Sequence, residues 1–188
     1  MRLGIWWGFA VVSTLGSFAC KSEDAPPVYL ETNYQVRCLD CEPRTPDEPE
    51  REIAALDGEF DFKFECAVTQ VGKNRSMTLT VGYKPNSTDD RYGFRITRGE
   101  IDHKDQSDEC KMQVLEGANT YEGACTGDDP SEDKPCKVTF KPDGQVVKGT
   151  MYCNKITLQG APANYRYLVA PGSTDSAAKF EVHNCPGL

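Results

Sequence analysis

The clearest hydrophobic pattern in the chain is the run EFDFKFECAV, in which Phe60, Phe62, Phe64, Cys66 and Val68 alternate with Asp61, Lys63 and Glu65. A period of two puts the first set on one face of a strand and the second set on the other. Shorter runs of strand character follow: SMTLTVGY, RYGFRITRG, CKMQVL, TYEGAC, CKVTFK, QVVKGTMYC, KITLQG, YRYLVA and KFEVHNC. Clusters of turn-forming residues such as KPNSTDDR and KPDGQ separate them. Many short strands at this spacing predict an all-β domain over residues 58–188, an antiparallel β-sandwich or barrel.

Upstream the pattern fades. Residues 20–57 hold Pro26, Pro27, Pro43, Pro46 and Pro49 among many charges, and only Glu50 to Leu56 suggests a turn of helix. Proline-rich, charged chain is extended and forms a core poorly, so this stretch reads as a flexible spacer before the domain.

Residues 1–19 carry one positive charge at Arg2, an apolar stretch from Leu3 to Val12, and small residues up to Ala19. That is the layout of a secretory signal peptide, and its uncharged run is short for a membrane span of ~20 residues. The junction with Cys20 resembles the lipobox of bacterial lipoproteins: Ala19 and Cys20 match it, whereas Ser17 stands where that family prefers an aliphatic residue. The resemblance implies that Cys20 is lipidated, palmitate being one expected acyl group, and becomes the first residue of the mature chain. More than one acyl chain, at ~0.8 kcal/mol per buried methylene, anchors a protein stably. Lys21 after the cysteine implies, by the same resemblance, passage to the outer membrane, on its periplasmic or surface face.

Nine cysteines are present, an odd number, and assigning Cys20 to the lipid leaves eight for disulfides. Cys110 and Cys125 lie symmetrically about EGAN, and Cys136 and Cys153 nearly so about PDGQ, so each pair is expected to face across a hairpin. Cys66 and Cys185 are then left to close the domain, and Cys38 pairs with Cys41 by elimination.

Once Arg2 leaves with the signal, 20 basic residues face 29 acidic ones, a net charge of about −9. Nucleic acid is therefore not an expected partner, because nothing neutralises its phosphates. A protein or a glycan fits better. CLDC at 38–41 has the spacing of a redox pair, but its setting lacks the βαβ context of such motifs, and a structural disulfide is the preferred reading. His103 and His183 have no companion nucleophile and read as surface histidines. GDDPSED gathers Asp128, Asp129, Glu132 and Asp133; a solvated acidic loop is preferred, with a calcium site as the alternative. No cofactor is expected.

The order FKFEC, SMTLTVG, YGFRIT, VVKGTMYCNKI and AAKFEVHNC over residues 60–185 resembles the mycobacterial lipoprotein antigen family. That resemblance implies a small lipid-anchored β domain with an early and a final cysteine and no catalysis. The expected function is that of a lipid-anchored envelope or cell-surface protein that binds or scaffolds. Two alternatives are a periplasmic hydrolase inhibitor and a thiol oxidoreductase using Cys38 and Cys41.

Overall fold

The computed structural model describes residues 25–41, 44–84, 87–101 and 105–188. The expected signal peptide, Cys20 and His103 lie outside these residues. The described residues are all-β, as the alternation predicts, and eleven strands among them form one sheet. In chain order they are β1 (Tyr29–Arg37), β2 (Arg51–Leu56), β3 (Phe62–Val71), β4 (Asn74–Tyr83), β5 (Tyr92–Glu100), β6 (Lys111–Glu116), β7 (Asn119–Thr126), β8 (Cys136–Asp143), β9 (Val146–Leu158), β10 (Ala161–Val169) and β11 (Ala178–His183).

β3 to β7 form an antiparallel meander. β7 then meets β8 in a short parallel pairing at Cys125 and Thr126. The sequence suggests two strands at 145–160, but β9 is a single strand of 13 residues. Its inward positions run Val147, Gly149, Met151, Cys153 and then Ile156, because Lys155 at φ 61° inserts one extra residue. β9 pairs with β8 and the end of β7 on one edge, and with β11 and β10 on the other.

The expected spacer is overturned by β1 and β2. Leu30, Thr32, Tyr34 and Val36 alternate with polar residues and are buried, as are Ile53 and Ala55 of β2. β1 pairs with β2 along one edge and with β11 and β10 along the other. Pro26 and Pro27 lie before β1, and Pro46 and Pro49 between β1 and β2, where they break no ladder. The domain therefore starts near residue 28 rather than 58, and Glu50 to Leu56 is extended rather than helical.

The sheet folds over on itself, so β1, β8 and β11 pack against β5. Tyr34 meets Phe94 edge-on at 5.8 Å, Phe94 lies 6.5 Å from Phe180, and Phe140 lies 5.8 Å from Phe180. Two glycines permit this closeness. A Cβ on Gly99 would run into the Phe140 ring, and one on Gly149 into the Phe180 ring.

Three expected disulfides are in place: Cys38–Cys41, Cys66–Cys185 and Cys136–Cys153. The fourth is not. Cys110 and Cys125 lie opposite each other, with the Cys125 N–H donating to the Cys110 carbonyl at 3.0 Å, but they are buried free thiols. A hydrogen bond with the Cys110 sulfur, and burial, push the Cys125 thiol far above its ordinary pKa and keep it protonated. Phe60 also departs from its expected face: Gly58 at φ 87° turns the chain into a short 3₁₀ turn, Glu59–Asp61, before β3 starts.

A chain starting at Gly58 should fail to fold. It lacks six of the buried side chains named above, and the larger of them, Leu30, Tyr34 and Ile53, are each worth ~2 to 5 kcal/mol against a total stability of ~5 to 15 kcal/mol. A cooperative melting transition for that fragment would contradict the role given to β1. Cys66→Ala with Cys185→Ala should remove the staple across a separation of 119 residues, costing about 4 to 5 kcal/mol by loop entropy; urea denaturation measures it.

Candidate binding groove

Strand pairing aligns outward side chains in rows across β2, β1, β11, β9 and β8. One row reads Ala54, Glu31, Glu181, Lys148, Lys141, and the next reads Glu52, Asn33, Lys179, Thr150, Thr139. These residues line a groove of about 540 Å³. Its charges are segregated, with carboxylates mainly over β1 and β2 and lysines over β8, β9 and β11.

Lys148 Nζ reaches Glu181 Oε2 at 3.5 Å, and the Thr139 and Thr150 hydroxyls share a hydrogen bond of 2.6 Å. Among the described residues Lys141 and Lys179 form no ion pair, and neither do Glu31 and Glu52. Coulomb interactions at a surface this wet are weak. Their value is to orient a ligand that carries complementary charge.

The sequence signals for this groove are the polar positions of each strand, which look like ordinary solvated faces one at a time. Only the register brings Lys141, Lys148 and Lys179 together on a chain of net charge −8.

The residues singled out from sequence are placed elsewhere. Cys38 and Cys41 are buried just beyond β1. Asp40 between them accepts a hydrogen bond from the Tyr167 hydroxyl at 2.7 Å, and its carbonyl accepts one from Tyr165. Burial, then the Asp40 carboxylate, holds the Tyr167 phenol up, so it remains a donor. His183 pairs with Glu181 at 2.9 Å and stacks edge-on against Tyr29. Asp128, Asp129, Glu132 and Asp133 do not converge: Asp129 is taken by Lys137 at 2.9 Å, and among the described residues no three His, Cys, Asp or Glu side chains are grouped to hold a cation.

A buried polar cluster that sequence reading misses closes one side of the core. Glu116 at the end of β6 is 2% exposed, and its Oε2 accepts from Arg51 Nη2 at 2.7 Å and Nε at 3.2 Å. The Arg51 guanidinium lies 4.2 Å over the Tyr92 ring. Glu116 Oε1 and the Tyr34 hydroxyl are buried without hydrogen-bond partners. Burial outweighs the guanidinium and raises the Glu116 carboxyl to about 7. A proton on the unpartnered Oε1 suits this arrangement.

The fold thus holds a proton on Glu116 between pH ~4.5, where an unfolded glutamate titrates, and about 7. This contribution to stability is complete below the lower value and is lost as pH rises through the upper one, up to ~3 kcal/mol in all. Glu116→Gln should remove that slope. Urea midpoints of both proteins from pH 4.5 to 8 test it, and parallel curves would refute it.

Comparison with protein-family models, curated proteins and solved structures finds no match to this chain.

Proposed function

We propose that this protein is a lipid-anchored envelope or cell-surface protein that binds another molecule in the groove on the outer face of β1, β2, β8, β9 and β11, without catalysis. The groove carries this reading. It is open, it is built on paired strands rather than on loops, and its unpaired lysines and carboxylates are available to a partner. A rigid platform of this kind orients a protein or glycan at little entropic cost. The Cys20 junction and the disulfides support a location outside the cytoplasm, in an oxidising compartment. The thiol oxidoreductase alternative is less favoured, because Cys38 and Cys41 are 5% and 3% exposed beneath Asp40 and its tyrosines.

A photo-reactive side chain at Asn33, used on intact cells, should give a discrete cross-linked product. The same group at Lys73, in the β3–β4 turn, should not. Lys141→Glu combined with Lys179→Glu should abolish the Asn33 product without lowering the melting temperature. Identical products from both positions, or an Asn33 product indifferent to charge reversal, would remove the groove as the binding site.

A further inference from the structure

Phe60 is the large apolar side chain left exposed among the described residues, at 77%. Its backbone is costly: Phe60 and Asp61 have φ of 49° and 64°, consecutive left-handed positions without a glycine. Gly58 bonds to the Phe62 carbonyl at 3.0 Å, Asp57 Oδ1 accepts from the Phe64 N–H at 2.8 Å, and Glu59 Oε2 accepts from the Leu56 N–H at 2.9 Å. The turn is thus tied down on both sides, with its aromatic ring held outward.

Its position in the domain gives the ring a use. The Asp57 N–H donates to the Val28 carbonyl at 2.9 Å, and Asn184 Nδ2 to the Pro27 carbonyl at 3.1 Å. The chain is therefore fixed to the domain from Pro27 onward, beside the turn that carries Phe60. Six residues lie between Cys20 and Pro27, and the seven Cα steps reach at most ~25 Å. A lipid on Cys20 keeps this end of the domain close to the bilayer.

We infer that Phe60 inserts into the interfacial region of the bilayer that holds the Cys20 lipid, seating the domain on its membrane in a fixed orientation. This rests on the lipid-anchor reading. An aromatic ring suits the headgroup boundary, where it gains apolar contact without crossing the hydrocarbon. The local charge is compatible with a zwitterionic surface. The Asp57 and Glu59 carboxylates accept from backbone N–H groups, Asp61 is exposed beside Phe60, and Lys63 and Lys84 flank the turn, Lys84 donating its N–H to the Asp61 carbonyl at 3.2 Å.

Trp6 and Trp7 both precede Cys20, so Phe60→Trp gives the mature chain a single tryptophan. It should be purified from membranes, checked by mass spectrometry for acyl groups on Cys20, and reconstituted in phosphatidylcholine vesicles bearing brominated acyl chains. The expected result is blue-shifted emission, quenched about twofold or more, whereas Lys73→Trp at the far turn stays unquenched. Acylated protein in which both tryptophans are equally unquenched overturns the insertion but leaves the anchor. Protein lacking acyl groups on Cys20 overturns the anchor, and the insertion with it.

Discussion

The structure depends on the pairing of β1. This strand bonds to β2 on one edge and to β11 and β10 on the other, so its ladder joins the start of the domain to its end. Its inward side chains, Leu30, Tyr34 and Val36, then fill the space beneath β5. Without β1 the inner edges of β10 and β11 would lie open, and unpaired edges invite association with other chains.

At the two free ends of the sheet, different chemistry completes the closure. β3 is covered by the C-terminal segment, held by Cys66–Cys185 and by a bond from the Val68 N–H to the Pro186 carbonyl at 2.9 Å. β2 is held to β6 by the direct Arg51–Glu116 pair, with the Arg51 guanidinium lying over the Tyr92 ring. A covalent bond is indifferent to proton concentration, whereas a buried carboxyl is not. The two closures therefore respond to different variables, redox state at one and acidity at the other.

The strands from β3 onward were legible because each shows alternation or a short apolar run bounded by Gly, Pro, Asn or Asp. β1 carried the same signal, in Leu30, Thr32, Tyr34 and Val36 against Glu31, Asn33, Gln35 and Arg37, but the surrounding prolines and charges masked it. Phe60 failed for the opposite reason: alternation continues through it, while Gly58 bends the chain first. Hairpin symmetry found Cys136–Cys153 and set Cys110 opposite Cys125, but spacing says nothing about whether two adjacent sulfurs remain thiols. The groove and the Arg51–Glu116 pair were not legible, since both depend on which residues of distant strands share a row.

The long-range pairing of β1 also bears on how the protein is made. During synthesis β1 has no partner but β2 until β10 and β11 have followed it. Contacts so far apart in sequence form slowly, since the intervening chain must be ordered first. Until then the apolar face of β1 and its open edge stay exposed to other chains. A chain presented from its N-terminus thus completes this fold only when β10 and β11 arrive to cover the open edge of β1.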